Sequence, residues 1–308
     1  MKPKILVLYY TQTGQLRQIL GSITGPIADK VELFFVPIEP VTPFPFPWTA
    51  LQFFDAMPET VTHLPANVKP LPASAFEHDY DLVIFGYQPW FLNPSQPTTA
   101  FLQSADARIL KNKPVVTVVG SRNMWLHAQE KVKDYLLKAG AKLTGNIVLS
   151  DSNPNLVSLL TVIRWSFKGQ KEASGMLPAA GVQNKDISEA SRFGQPILQH
   201  LTDNNLIDLQ RALLEAGAVP LKTGLVILEQ RGIKNFRFWA KFIREKGGPG
   251  SPARAGRVMM FKNLLLIAIF ILSPISTATA LIQQIAKRNK LIKDVAYFRQ
   301  LEFEPDKM

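Results

Sequence analysis

Five short apolar runs, each closed by a turn, constrain this chain more than any other feature of it. They are Lys4–Tyr9, Val31–Val36, Asp81–Phe85, Pro114–Val119 and Lys142–Leu149. A run without polar alternation is a strand buried on both faces, as in a parallel sheet. Helical spacing lies between them, at about 15–24, at Pro97–Ala105 and at Trp125–Ala139, the last stopping at the C-capping Gly140. Strands alternating with helices predict a five-stranded, doubly wound parallel α/β sheet over residues 1–152. A Pro-rich stretch from Pro37 to Pro72, full of Phe and Trp, interrupts the rhythm, with one helix near 49–56.

Beyond residue 152 the strand rhythm fades. Leu156–Phe167, Asp186–Leu201, Leu206–Ala216 and Asn235–Lys246 read as helices, and Leu225–Glu229 as a lone strand. Gly247–Gly256 is a Gly/Pro linker, and Leu264–Ile282 follows as 19 residues without a charge. The chain therefore divides into a sheet domain (1–152), a mainly helical extension (153–246) and a basic, apolar tail (247–308).

Charge sharpens this division. Residues 222–308 hold 16 Lys and Arg against 6 Asp and Glu, which is nearly all of the net +11. A local basic excess suits an anionic surface. Lys234, Arg237, Lys241 and Arg244 form one helical stripe, and Phe236, Trp239, Ala240 and Ile243 a second. That composition belongs to a helix at a lipid interface or, alternatively, to a helix docked on the domain. No other feature points to nucleic acid. Basic residues flank both ends of Leu264–Ile282, so that segment spans a membrane, dips into one leaflet or packs inside the domain. The chain has no cysteine, which removes thiolate metal sites, Fe–S clusters and a Cys nucleophile. Four scattered histidines (His63, His78, His127, His200) leave little room for a metal site, and none is expected.

Three loops at strand ends carry the chemistry. The first, Thr11-Gln12-Thr13-Gly14-Gln15-Leu16, places hydroxyls and a glycine where a strand meets a helix N-terminus. Backbone N–H groups there favour a phosphate. With no Lys it is not a Walker A loop, and a neutral cradle suits one phosphate monoester. The second holds Gln88, Pro89, Trp90 and Phe91, and the third Gly120, Ser121, Arg122, Asn123 and Trp125. Their two indoles could flank a flat ring. Ligands of open α/β sheets bind at such carboxyl ends. His127, just inside the following helix, is either a proton donor beside that ring or a surface histidine. Arg164–Gly169 forms either a wall over the ring or the end of a packing helix.

The three loops in this order resemble the flavodoxin-like family over about residues 3–150. The resemblance implies FMN, held by Thr11–Leu16 at the phosphate and by the other two loops at the isoalloxazine ring. Gln15-Leu16 departs from the Asn-Thr of many relatives and removes one hydroxyl. Tyr9–Leu16 and the whole-chain layout also resemble the bacterial dialkylresorcinol-biosynthesis family. That resemblance implies an FMN-dependent oxidoreductase that aromatises a cyclic diketone made by a partner ketosynthase. Its lipidic substrate and the basic tail place the chain on the inner, cytoplasmic face of a membrane. The alternatives are an NAD(P)H-quinone-reductase-like or electron-carrier flavoprotein, and a flavin-free membrane-associated scaffold.

Overall fold

The computed structural model of the chain describes residues 2–221, 223–270, 286–305 and 307. At its centre lie β1 (Lys4–Tyr9), β2 (Glu32–Pro37), β3 (Leu82–Tyr87), β4 (Pro114–Ser121) and β5 (Lys142–Ser150). Every neighbouring pair is parallel, in the order β2-β1-β3-β4-β5. This is the flavodoxin-like doubly wound order, whose direction of winding switches between β1 and β3. All five strands stand where the apolar runs predict them.

The helices are α1 (Gln15–Thr24), α2 (Ala50–Asp55), α3 (Met57–Val61), α4 (Gln96–Gln103), α5 (Leu126–Lys138) and α6 (Asn155–Lys168). After them come α7 (Asn184–Glu189), α8 (Gly194–Thr202), α9 (Leu209–Glu215), α10 (Thr223–Arg244), α11 (Pro252–Phe270) and α12 (Arg288–Phe298).

The period-2 geometry of β3 shows how the sheet is covered. Phe85 and Tyr87 face α4 and α5: Phe85 lies 5.9 Å from the ring of Phe101, and the Tyr87 hydroxyl donates to Gln129 Oε1 at 2.6 Å. Gly86, between them, faces α1, where a Cβ would come within 2.9 Å of Leu20. Phe193, Ile197, Leu209, Leu213 and Phe298 join the same core as the strands. The packing thus runs across the boundary that the sequence suggests at residue 152.

Two expectations fail locally. The helix expected over Asp186–Leu201 breaks into α7, a short 3-10 turn and α8. Gly194 begins α8 against α1, and a Cβ there would lie 2.4 Å from the carbonyl oxygen of Ile23, so the backbone bends to make that approach. The lone strand expected at Leu225–Glu229 is instead the start of α10. Its Val226, Glu229, Ile233, Ala240 and Ile243 are buried at helical spacing, and burial on one stripe overrides the β-branched composition.

α10 and α11 pack on α2 and α3 around Phe54, Met57, Ile243, Val258 and Phe261. Within this small core Arg254 of α11 is fully buried. Its Nε donates to Asp55 Oδ1 at 2.6 Å and its Nη1 to Glu59 Oε1 at 2.8 Å. Its Nη2 donates to the carbonyl oxygen of Asp55 at 2.7 Å. The ion pairs fix where α11 lies. Among the described residues no helix is long and apolar enough to cross a membrane. Residues 271–282 of the uncharged run lie outside the described residues.

Candidate functional site

The first loop leaves β1 and turns into α1 through Gly14, which holds the N-cap position at φ +79. That left-handed geometry suits glycine, and nothing lies within 4 Å of where a Cβ would sit. No side chain caps α1. Among the described residues, the N–H groups of Thr13, Gly14, Gln15 and Leu16 donate to nothing. Thr11 Oγ1 is buried without a hydrogen-bond partner. Free donors and the positive end of a ten-residue helix lie together in this loop. One phosphate group fits those residues.

The side chains of this loop do other work. Gln12 N–H donates to Gln88 Oε1 at 2.9 Å, which ties the first loop to the second. The Gln15 amide both donates to the Val182 carbonyl and accepts from its N–H, each at 3.0 Å. Gly181, at φ +79, passes so close that a Cβ would meet Gln15 at 2.6 Å and Trp165 at 2.7 Å. The extension is therefore strapped across the N-terminus of α1 by Gln15, whose side chain is fully used there.

In the second loop Phe91 and Leu92 take positive φ values of 47° and 65°, which turn the chain sharply after Trp90. Trp90 stands edge-on to Tyr10, Phe44 and Trp48, with ring centroids 5.9, 5.0 and 5.8 Å away. In the third loop Gly120 rests on Leu16 and Ile19 of α1. Arg122 Nη1 donates to Asn155 Oδ1 at 2.9 Å, and Asn123 Nδ2 to the same oxygen at 2.7 Å. Burial lowers the Arg122 guanidinium from its ordinary value to about 10, while nearby Asp151 works to raise it.

The three loops open into one cavity of about 500 Å3. Gln12, Thr13, Gln15, Leu16, Gln88 and Pro89 line it, as do Trp90, Phe91, Gly120, Ser121 and Arg122. Thr11, Gly14, Asn123 and Trp125 do not. Trp125 is only 1% exposed and belongs to the core beneath α5. The opposite wall comes from residues the sequence reading left out or left open. Phe46, Trp48 and Phe53 enter from the Pro-rich stretch, Ile163 and Trp165 from α6, and Lys262, Leu265, Leu266 and Ile269 from α11. The aromatic density of that stretch was the signal for the first group. α6 serves as the wall that Arg164–Gly169 allowed, although Arg164 itself donates to the carbonyls of Glu172 and Pro178.

His127 is not in this wall. Its ring is buried, its Nδ1 has no partner, and burial together with Lys131 and Arg237 pushes it down to about 3. It is neutral at neutral pH and lies beside Glu229 of α10, which accepts from the His127 N–H at 2.7 Å. Burial raises Glu229 to about 7, against backbone hydrogen bonds from His127, Leu126 and Trp125. Glu229 thereby caps α5, a role the sequence did not reveal. No Asp, Glu or His lines the cavity among the described residues, and no group of His, Asp and Glu there could hold a metal.

No protein-family model matches the chain, and no curated protein resembles it in sequence. Solved structures do align with it. A flavoprotein candidate from Bacteroides eggerthii is 18% identical, with a TM-score of 0.39, over 52% of this chain and 96% of that one. An archaeal flavodoxin is 10% identical at a TM-score of 0.33, over 65% and 99%. General stress protein 14 of Treponema denticola, solved with FMN, is 8% identical at 0.33, over 65% and 99%. The fold class rests on the strand order itself.

Proposed function

We propose that this chain is an FMN-dependent oxidoreductase for an apolar, lipid-like substrate. One observation carries the reading: three strand-end loops at the β1/β3 switch line the same apolar cavity, and the first of them brings the unused N–H donors of Thr13, Gln15 and Leu16 to it. The phosphate of FMN would take the N–H groups of Thr13 to Leu16, and its ring would lie among Gln88, Trp90 and Gly120. When bound, FMN supplies a two-electron acceptor or donor. The chain contributes a dry aromatic enclosure and, through Gln15 and Gly181, a strap that holds the phosphate end closed.

The reaction we assign is aromatisation of a cyclic 1,3-diketone to a dialkylresorcinol, which removes two hydrogens from the ring. Two features support it over an electron carrier. α6 and α11 cover the cavity, whereas a carrier presents its flavin edge to partners. The exterior suits delivery of a lipid from the cytoplasmic face of a bilayer: Lys234, Arg237 and Lys241 are exposed on α10 beside Phe238, which is 63% exposed. Leu264, Ile267 and Phe270 of α11 are exposed as well.

Equilibrium dialysis of the full chain with FMN and riboflavin tests the cofactor. The phosphate cradle should favour FMN by at least about tenfold, since charge-assisted hydrogen bonds contribute more than about 1.5 kcal/mol. Equal affinities would remove the cradle, and binding of neither would leave the flavin-free scaffold. Rapid bleaching of the bound flavin by NAD(P)H, with no bleaching by an alkylated cyclic diketone, would favour a quinone reductase.

A further inference from the structure

Two cations stand in the wall of an otherwise neutral cavity. Arg122 is matched, since it donates to Asn155 and has Asp151 nearby. Lys262 is not matched. Among the described residues its ammonium has neither an ion-pair nor a hydrogen-bond partner, and the cavity wall holds no carboxylate. The acids closest along α2 and α3 are already taken, because Asp55 and Glu59 both bind Arg254, two turns earlier on α11.

Lys262 also begins a stripe. Lys262, Leu265, Leu266 and Ile269 line the cavity at spacings of 3, 1 and 3, one face of a helix, over ~10 Å at ~1.5 Å per residue. α6 faces that stripe across the cavity with Leu159, Val162 and Ile163. A ligand that pairs this ammonium and covers the apolar stripe carries an anionic oxygen at that end and an apolar body.

We infer that the cavity takes an amphiphile with one anionic oxygen head, a carboxylate or an enolate, bound to Lys262 with its apolar body between α6 and α11. This assignment rests on the cavity being the substrate site proposed above and names the chemical class that it selects.

Trp48, Trp90 and Trp165 line the cavity and report its filling. Their fluorescence would be titrated in the full chain, with and without FMN, using dodecanoate, dodecanol, dodecylammonium and an alkylated cyclic 1,3-diketone. Dodecanoate or the diketone enolate should bind at least about tenfold tighter than dodecanol, the factor that corresponds to ~1.4 kcal/mol. Dodecylammonium should bind weakest. Lys262→Met should erase the preference and leave dodecanol binding in place, while Lys262→Arg should keep it.

If neither anionic probe exceeds dodecanol, or if the preference survives in Lys262→Met, the assignment is overturned. The same follows if Lys262→Met collapses the FMN-to-riboflavin ratio, for Lys262 would then serve a phosphate. A preserved preference in a chain that binds no FMN would sink the flavin reading alone.

Discussion

Trp90 and Trp125 reach the sheet edge by the same route and finish in different surroundings. Each follows a central parallel strand by a few residues. Trp90 stays in the cavity wall, edge-on to three aromatic rings. Trp125 is sealed into the core at 1% exposure. The difference comes from what lies above them. Over Trp125, α10 delivers the Glu229 carboxylate to the N-terminus of α5 and closes the loop. Over Trp90 the left-handed turn at Phe91 and Leu92 holds the loop open to the cavity. A position in a fold points to the edge where ligands bind, whereas access to that edge is decided by chain a hundred residues away.

The largest test of this contrast removes each indole. Trp125→Ala should cost about 3–5 kcal/mol of stability in urea unfolding, the usual penalty for a large core aromatic. Trp90→Ala should cost clearly less while weakening ligand binding in the cavity. Comparable losses of stability would show that Trp90 is also a core residue.

A second test acts on the lid over Trp125 through pH. Glu229, held at about 7 instead of its ordinary 4.5, binds an extra proton in the folded state between those values. Its contribution is fully present below 4.5 and is lost as pH rises through about 7. His127, held at about 3 instead of 6.5, does the opposite: its contribution is present above 6.5 and lost as pH falls towards 3. Between 4.5 and 6.5 the two slopes oppose each other. Thermal melts of Glu229→Gln should therefore show stability rising with pH across that range, and those of His127→Gln should show it falling. Each slope approaches about 1.4 kcal/mol per pH unit. A flat profile in both variants would mean that both groups titrate in the folded state as they do in the unfolded chain.

The smallest effect concerns the open loop. Gln88→Ala removes the tie to the Gln12 N–H and should cost about 1 kcal/mol. It should broaden the Trp90 emission and leave the core indole unchanged. A shift in both signals would mean that the two loops move together.

The sheet and the first strand-to-helix loop were legible because they are local: unbroken apolar runs and one glycine-bearing turn declare themselves within a few residues. What escaped is made of distant pairs. Nothing near Val182 announces that its backbone will meet Gln15, and nothing near residue 229 announces a cap for α5. Leu225–Glu229 reads as a strand until its burial is set by α5. For Leu264–Ile282 the sequence leaves spanning, dipping and packing open, and in its described start Leu265, Leu266 and Ile269 turn inward while Leu264 and Ile267 remain outside. A hydropathy run cannot separate an inner apolar stripe from an outer one.

Arg254 has a consequence for ionic strength. Exposed charges lose their mutual influence beyond a Debye length of ~10 Å at ~0.1 M salt, while buried pairs are screened far less. Lys234, Arg237 and Lys241 are exposed, and Arg254 is fully buried. On the membrane-delivery reading proposed above, added salt should therefore weaken the attraction of α10 to an anionic surface and leave α11 latched to Asp55 and Glu59. The proposal thus gives the chain one fastener that electrolyte can undo and one that it cannot, and on that reading leaving a membrane would not require opening the cavity wall.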